Sequence, residues 1–329
     1  MKTALEKFSQ KTNGDIYWAL FQALESLGRS EEAWEYLEIA HAATMANRER
    51  VSSIEQMDEQ LQQVVTVFRQ NMFPDPPLGL NSRTPVFIIG MMRSGSTLLE
   101  TMLDAHPQIY GMGEDSFFNS GLSKFRDELV EALSLNDNAA TERVLKSYGK
   151  SVVTQMVNRS MNDESNVDKM ARKVKPKRVV DKMLFNYRNI GFIHLIFPKA
   201  VILHTVRDPM DTILSCFKHK FDDSGLDWAL DMKRLSRQYI NYLKNMHHFK
   251  KILPGRIYDV SYEALVTSTE STIKGVIKKV DIRWDDDVLN FHSKNRTVHT
   301  HSMGQVRHKV TSSGIGGWRK YADQLRPMI

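Results

Sequence analysis

The residues of this chain that are best suited to chemistry lie in the run G-M-M-R-S-G-S-T, from Gly90 to Thr97. The apolar run V-F-I-I ends just before it, and L-L-E-T-M-L, with apolar positions at helical spacing, follows it. A strand, a tight glycine loop and a helix start bind phosphate well, because first-turn N–H groups lack intrahelical partners and the helix dipole adds positive charge. We therefore predict a phosphate site here.

One residue distinguishes this loop from that of nucleoside triphosphatases, G-x-x-x-x-G-K-[ST]. Ser96 stands at the position of the lysine, which grips the β- and γ-phosphates of a triphosphate. ATP or GTP hydrolysis is therefore disfavoured. Arg93 provides a cation earlier in the loop, which suits a nucleotide whose single 5′ phosphate bears a transferable anion. The competing interpretation is an ordinary strand–turn–helix with a glycine at each bend.

A second polar segment follows the apolar run A-V-I-L-H-T-V at 200–206, which predicts a buried strand. Arg207 ends this strand, and Asp208 can cap a helix that begins at Pro209. Ser215 lies two turns along that helix. A guanidinium and a hydroxyl together can bind a phosphate group.

Two ionisable residues follow further predicted strand ends. Lys182 comes after the short apolar stretch 179–180, and the carboxyl end of a parallel strand faces the ligand crevice of an α/β sheet. Glu114 lies downstream of the phosphate loop, where a carboxylate can act as a general base if burial raises its affinity for a proton. The structural alternatives are a surface lysine and a helix-capping acid, and capping is preferred for Asp115.

Four segments, at 93–107, 181–186, 207–215 and 302–325, resemble segments of sulfotransferases, which use 3′-phosphoadenosine 5′-phosphosulfate as donor. R-S-G-S-T-L-L-E followed by D-A-H-P, at 93–107, resembles their 5′-phosphosulfate loop. R-D-P-x-D-x-x-x-S at 207–215 resembles their 3′-phosphate segment, and D-K-M-L-F-N at 181–186 resembles their D-K-x-P-x-N segment. The closest similarity is to tyrosylprotein sulfotransferases and to bacterial sulfotransferases with tetratricopeptide repeats, and it covers about residues 84–325.

The resemblance implies roles for individual residues. Glu114 would take the acceptor proton, and Lys182 and Arg93 would stabilise charge at the transferring group. No metal would be required, and Arg207 beside Asp208 and Asp211 argues against a metal site there. The donor would be held by Arg93, Ser94, Gly95, Ser96, Thr97, Arg207, Ser215, Tyr262, Ser302 and Thr311.

Three positions depart from the pattern of the family. Leu184 replaces the proline of D-K-x-P-x-N, and His219 stands where the animal enzymes have a further basic contact. Gly317 replaces the cation before the tryptophan in the closing G-[RK]-W-[RK]-K-Y segment. Arg319 or Lys309 could supply that charge; otherwise we expect weaker binding of the 3′-phosphate.

Composition excludes several other classes of protein. Apolar residues make up 41% and charged residues 26%, as in globular proteins. Cys216 is the single cysteine, which excludes an intramolecular disulfide and a cysteine-based metal site. Lys2, Glu6 and Lys7 interrupt any signal-peptide segment, and no apolar run is long enough to span a membrane. We therefore expect a cytoplasmic protein with no membrane contact.

The basic charge is concentrated after the first quarter of the chain. Residues 1–84 contain 8 Lys/Arg and 12 Asp/Glu, whereas the remainder contains 37 and 27. K-M-A-R-K-V-K-P-K-R at 169–178 carries six cations and is typical of a solvated surface. An anionic cofactor explains this distribution better than nucleic acid, because no nucleic-acid-binding motif accompanies it.

The sequence predicts helices in the N-terminal part of the chain. Residues 15–44 predict two amphipathic helices joined at 27–29, with Ser30 as the N-cap of the second. This pair resembles one tetratricopeptide repeat, where solenoids usually need at least about three. A further helix is predicted over 48–72. These helices either pack on the catalytic domain or offer a docking surface for an acceptor protein.

These features predict an α/β fold: a P-loop-like three-layer domain with a central, mostly parallel sheet and helices on both faces. We expect it to occupy 85–329, after a helical, tetratricopeptide-like segment at 1–72 and a proline-rich linker at 73–84. The predicted activity is sulfuryl transfer to a hydroxyl of a peptide, a glycan or a small molecule. The alternatives are a P-loop kinase and a non-catalytic scaffold with a vestigial nucleotide site.

Overall fold

The computed structural model describes residues 14–46, 48, 51–115, 117–135, 137–163, 175–221, 224–293 and 310–326. These residues form two compact units. The larger lies within Val64–Arg207 and Asn245–Ser312, and the smaller within Met1–Gln63, Asp208–Lys244 and Ser313–Ile329. The N-terminal helices thus share a unit with two later stretches of the chain. The division into a helical segment, a linker and a catalytic domain remains a prediction.

The larger unit is built on a five-stranded parallel sheet with the strand order β2-β3-β1-β4-β5. The central strand is buried at every residue, which explains why its sequence is an unbroken apolar run. The predicted parallel sheet with flanking helices is confirmed. The strands are β1 (Pro85–Gly90), β2 (Ile109–Gly111), β3 (Arg178–Asp181), β4 (Val201–Val206) and β5 (Ile257–Ser261).

The α-helices within the described residues are distributed over both units. In chain order they are α1 (Gly14–Ser26), α2 (Ser30–Ala46), α3 (Ile54–Val67), α4 (Ser96–Ala105), α5 (Phe117–Ser120), α6 (Leu122–Ser134), α7 (Asn138–Met161), α8 (Ile190–Ile196), α9 (Pro209–Phe217), α10 (Met232–Ile252), α11 (Tyr262–Thr267), α12 (Thr269–Lys279) and α13 (Ala322–Leu325). In the larger unit α4 packs against β1 and β2, α7 against β3, and α11 and α12 against β5.

The strand register brings several chain segments to one edge of the sheet. Gly90 at the end of β1 lies opposite Thr205 on β4, and Phe87 lies opposite Asp181 at the end of β3. Because all five strands run in one direction, the residues that follow them emerge at the same edge. The phosphate loop, Lys182 and Arg207 each follow one of these strands.

The helix before the proline-rich stretch is shorter than predicted. The helix predicted over 48–72 is shorter, Ile54–Val67, because Ser53 and Gln56 form a capping box at its start. Gln56 N donates to Ser53 Oγ at 3.2 Å, and Ser53 N donates to Gln56 Oε1 at 2.9 Å. The proline-rich stretch 73–84 lies within the larger unit, where Leu80 N donates to Ile196 O at 2.7 Å.

The smaller unit is held by aromatic packing of the N-terminal helix pair. The Trp34 ring lies 5.4 Å from the ring of Phe217 on α9 and 5.3 Å from the ring of Tyr321. Tyr321 Oη donates to Glu25 Oε1 at 3.1 Å, and Lys218 forms an ion pair with the same carboxylate. The two predicted helices are confirmed, and they contribute to this core. Membership of a repeat array remains a prediction.

None of the helices in the described part of the chain combines the length and the hydropathy that crossing a membrane requires.

His41 is enclosed by aromatic rings in the smaller unit. Its ring stacks on that of Phe217 with 4.1 Å between centroids and meets Trp18 edge-on at 4.9 Å. Nε2 donates to Phe217 O at 2.7 Å. Burial lowers the pKa of His41 to about 4, although the bond to the carbonyl opposes this effect. His41 is therefore neutral at physiological pH.

We expect His41 to make the fold sensitive to acid. Because its pKa is lower in the folded chain than in the unfolded chain, its contribution to stability is present above about pH 6.5 and is lost toward pH 4. Between about pH 7.5 and about pH 5, this contribution to the free energy of unfolding should fall by about 2 kcal/mol. In His41→Gln, urea unfolding at both pH values should show a pH dependence smaller by that amount.

The control for this measurement is His247→Gln, at an exposed position of α10. It should leave the pH dependence as in the unmodified chain. An equal reduction in both variants would contradict the assignment to His41.

Candidate functional site

The loop between β1 and α4 has an uncommon backbone conformation. The φ angles of Gly90, Arg93 and Gly95 are all positive, at 150°, 63° and 93°. A Cβ atom on Gly90 would lie 2.7 Å from Thr205 O, and one on Gly95 would lie 2.5 Å from the Tyr262 ring. Both glycines are therefore required by close contacts as well as by backbone geometry. At Arg93 a left-handed conformation costs about 1 kcal/mol, and such strain is concentrated at functional sites.

The Ser94 hydroxyl fastens this loop to the sheet. It donates to Met91 O at 2.6 Å and lies 2.6 Å from Thr205 Oγ1 on β4. Ser94 itself is buried. Since the hydroxyl is engaged inside the protein, the backbone N–H is the group that Ser94 can offer to an anion. Its predicted contact with the donor would come from that N–H.

The first turn of α4 is the predicted anion site. The N-cap is Gly95, which makes no side-chain cap, and Ser96 and Thr97 are buried in the first turn. A bound anion can cap such a helix through the backbone N–H groups and is favoured by the helix dipole. The local geometry is thus the predicted one, and the donor contacts of Gly95, Ser96 and Thr97 remain predictions.

Arg207 joins this loop from β4. Its Nη1 donates to Arg93 O at 2.8 Å, and its guanidinium lies over the Tyr262 ring, 4.6 Å from the centroid. Tyr262 is the first residue of α11, directly after β5. The structure therefore brings Arg93, Gly95, Arg207 and Tyr262 together within the larger unit, although they come from three distant segments of the sequence.

Lys182 and Glu114 form an ion pair in the same unit. Lys182 Nζ donates to Glu114 Oε1 at 2.6 Å. The lysine side chain is fully buried, whereas 40% of the glutamate side chain is exposed. We expected Glu114 to be buried, but its side chain is partly exposed. Its close charged neighbour is the ammonium group of Lys182. The pair places a positive charge beneath a carboxylate that solvent or a substrate can reach.

Backbone hydrogen bonds bring these two residues together. Met112 N donates to Val180 O at 2.8 Å, and Lys182 N donates to Gly113 O at 3.0 Å. These bonds extend the pairing of β2 with β3 past the last residues of both strands. Because the two strands are parallel, the residues that follow them lie side by side, although they are far apart in sequence.

Sequence reasoning missed two acids on α4 that support the segment before Glu114. Glu100 Oε1 accepts a hydrogen bond from Gly113 N at 2.6 Å, and Asp104 Oδ1 accepts one from Gly111 N at 2.7 Å. Both acids are buried, with 3% and 5% exposure. Two acids four residues apart, on a helix with no other charged residue, were the signal that could have revealed them.

Asp181 and Asn186 of D-K-M-L-F-N contact each other in the turn after β3. Asp181 Oδ1 accepts from Met183 N at 2.8 Å, and Oδ2 accepts from Asn186 Nδ2 at 3.4 Å. Burial raises the pKa of Asp181 to about 7; the charges of Asp115 and Glu100 add to this effect, and an N–H donor and the adjacent ammonium oppose it. These two motif residues therefore shape the turn that presents the lysine.

In the smaller unit, Asp211 anchors the glycine-rich C-terminal segment. Asp211 Oδ2 accepts from Gly316 N at 2.6 Å, and Oδ1 accepts from Trp318 N at 3.0 Å. A Cβ atom on Gly317 would lie 3.8 Å from the same carboxylate, an ordinary contact. Asp208 caps α9 by accepting from Asp211 N.

Over the ranges that the structure covers, no group of three or more His, Cys, Asp or Glu side chains could hold a metal ion.

The remaining predicted donor residues are placed differently. Ser215 is half-buried on α9 in the smaller unit, whereas Arg207 belongs to the larger unit. Thr311 is exposed. Ser302 and Lys309 lie outside the described residues. The structure thus brings together the predicted residues of the phosphate loop with Arg207 and Tyr262, and separately Lys182 with Glu114.

Comparisons with known proteins agree with this architecture. Residues 85–286 match the model of the sulfotransferase family. An uncharacterized protein of Aquifex aeolicus is 29% identical over 76% of this chain and 32% of its own length. A protein-tyrosine sulfotransferase of Drosophila melanogaster is 26% identical over 62% of this chain and 39% of its own length. The chain therefore spans well under half of either relative.

A solved structure supports the fold. The sulfotransferase domain of the Synechococcus PCC 7002 olefin synthase superposes with a TM-score of 0.50, covering 73% of this chain and 89% of that domain. The sequence identity is 18%, so this similarity concerns the fold alone.

Gly95→Ala should destabilise the larger unit through both a left-handed backbone and a steric clash. The new methyl group would lie 2.5 Å from the Tyr262 ring. Gly255 has a similar φ of 73°, but a methyl group there would have no atom within 4 Å, so Gly255→Ala isolates the backbone effect. We expect a loss of about 1 kcal/mol in the free energy of unfolding for Gly255→Ala and at least about 2 kcal/mol for Gly95→Ala. Equal losses in urea unfolding would contradict the role of the Tyr262 contact.

Proposed function

The chain belongs to the sulfotransferase family, and we propose that it transfers a sulfuryl group from 3′-phosphoadenosine 5′-phosphosulfate to an acceptor hydroxyl. Family membership supports sulfuryl transfer in general. The donor, the kind of acceptor and the residue roles are the proposal. A peptide, a glycan or a small alcohol or phenol could each supply the hydroxyl.

The observation that carries this proposal is the contact between Lys182 and Glu114. Their side chains meet at 2.6 Å, with the lysine fully buried and the glutamate partly open to solvent. Transfer to a hydroxyl needs a base for the proton and a cation for the charge on the leaving group. One ion pair supplies both groups at the edge of the sheet where open α/β folds bind ligands.

In the proposed reaction, the acceptor oxygen forms a bond to sulfur while the bond from sulfur to the bridging oxygen breaks. Adenosine 3′,5′-bisphosphate leaves with the bridging oxygen. Glu114 takes the hydroxyl proton. Lys182 stabilises the negative charge that develops on the bridging oxygen, and Arg93 stabilises the transferring group. No step uses a metal ion.

The donor would be bound by the loop and helix start at Gly95, Ser96 and Thr97. The left-handed Arg93 and the glycine N-cap of α4, which makes no side-chain cap, support an anion at this place. Arg207, which bonds to the backbone of Arg93 and stacks on Tyr262, would bind the 3′-phosphate. Ser215, Ser302 and Thr311 are proposed as further donor contacts on the resemblance alone.

The first test is thermal unfolding with adenosine 3′,5′-bisphosphate, and with ATP and AMP as controls. At a hundred times its dissociation constant, the bisphosphate should add about 2.7 kcal/mol to the free energy of unfolding. Only the bisphosphate should raise Tm. At the same concentration, the roughly tenfold or greater loss of affinity expected for Arg207→Ala should reduce the added free energy of unfolding to about 1.4 kcal/mol or less. A rise with ATP alone would favour a kinase, and no rise with any nucleotide would favour a non-catalytic scaffold.

The second test separates the roles of Arg207 and Glu114. Arg207→Ala should weaken donor binding, raising KM about tenfold or more with a smaller change in kcat. Glu114→Gln should lower kcat by about a hundredfold with little change in donor KM, because the base is lost and the donor contacts remain. Formation of the bisphosphate from the sulfate donor, with a tyrosine peptide, an oligosaccharide and 2-naphthol as acceptors, measures both.

Asp115→Asn is the matched control for Glu114→Gln. Asp115 Oδ1 accepts from Phe117 N at 3.0 Å at the start of α5, and an asparagine oxygen can accept the same bond. Turnover should therefore stay within about twofold of the unmodified chain. Equal losses of turnover in Asp115→Asn and Glu114→Gln would rule out Glu114 as the specific base.

A further inference from the structure

Glu100 has a second contact besides its bond to Gly113. Its Oε2 lies 4.0 Å from Lys182 Nζ, on the opposite carboxylate oxygen from the one that accepts from Gly113 N. The Glu100 side chain is only 4% exposed. Among the described residues, the carboxylates within 4.0 Å of this ammonium are those of Glu100 and Glu114.

The two carboxylates differ in their freedom to move. Glu100 is buried on α4 and fixed by a 2.6 Å bond to a backbone N–H, whereas 40% of the Glu114 side chain is exposed. A buried ammonium needs a compensating charge at all times, because an unpaired charge in the interior is strongly unfavourable. If Glu114 alone compensated Lys182, it could not leave the lysine to take a proton from an acceptor.

We propose that Glu100 is a positioning residue: the permanent counter-ion of Lys182, which releases Glu114 for the acceptor and holds the Gly113–Glu114 turn in place. This inference rests on the proposed function for its catalytic consequence. The coupling of Glu100 to Lys182 does not depend on the proposed function, because it is inferred from the 4.0 Å distance between the two buried charged groups.

Other charged groups also surround this lysine. Asp181 precedes it in the chain and accepts from Met183 N, and Asp115 caps α5. Neither carboxylate lies within the 4.0 Å of Lys182 Nζ at which Glu100 and Glu114 are found. Glu100 is thus the buried acid that contacts both the lysine and the segment that carries Glu114.

Glu100→Gln removes the negative charge near Lys182 but keeps an oxygen that can accept the hydrogen bond from Gly113 N. Glu114 is then the remaining close counter-ion and is held more tightly by Lys182. Turnover should fall about tenfold or more, while affinity for adenosine 3′,5′-bisphosphate stays equal or increases, because an anion near an anionic ligand has been removed.

Asp104→Asn is the matched control. Asp104 lies one turn further along α4, is buried to a similar extent and accepts from Gly111 N at 2.7 Å. Calorimetric titration measures affinity for the bisphosphate, and turnover is measured with the tyrosine peptide, the oligosaccharide and 2-naphthol. Only Glu100→Gln should combine lower turnover with equal or higher affinity. A parallel loss of affinity and turnover in Glu100→Gln, or the same combination in Asp104→Asn, would overturn the proposal.

A double-mutant cycle tests the coupling without any need for activity. Glu100→Gln alone should lower Tm by at least about 3 °C, because the buried ammonium loses a counter-ion. In a Lys182→Met background, the same change should lower Tm by less than about 1 °C. Equal shifts in both backgrounds would overturn the role of Glu100. If the unmodified chain binds no bisphosphate, the proposed function fails, and this cycle still decides whether Glu100 compensates Lys182.

Discussion

The fully buried ammonium of Lys182 is the constraint on which the candidate site depends. A charge removed from water is tolerated only where opposite charges and hydrogen-bonding groups surround it. Glu114 and Glu100 provide this compensation, at 2.6 Å and 4.0 Å. They come from the segment after β2 and from the helix after β1, so three parts of the chain must be in register before the lysine can be buried. The parallel pairing of β2, β3 and β1 provides that register.

The phosphate loop is fixed by a different set of forces. Its turn needs left-handed backbone at Arg93 and Gly95, and the Ser94 hydroxyl fastens it to β4. Tyr262 fills the space that a side chain at position 95 would occupy, and Arg207 stacks on the same ring. The loop is therefore preorganised by packing within the protein. Such preorganisation reduces the ordering that an anionic ligand would otherwise have to induce.

The smaller unit gives the N-terminal helices a structural role. Trp34 packs against Phe217 and Tyr321, and Glu25 bonds to both Lys218 and Tyr321. In this unit Asp211 also holds the backbone of the glycine-rich C-terminal segment. The helix pair is thus part of the same core as α9 and that segment. An isolated pair of helices buries little apolar surface, and sharing a core overcomes that limit.

The sequence by itself determined the features that depend on short stretches of chain. Apolar runs identified β1 and β4, and the glycine spacing located the loop, because burial and backbone geometry there are encoded by neighbouring residues. Only the tertiary structure decided the partners of isolated polar side chains. Ser94 meets Thr205, Asp211 meets Gly316, and Glu100 meets Gly113 and Lys182. These contacts join residues that are distant in sequence, and the parallel strand order and the packing of helices, which no local pattern contains, bring them together.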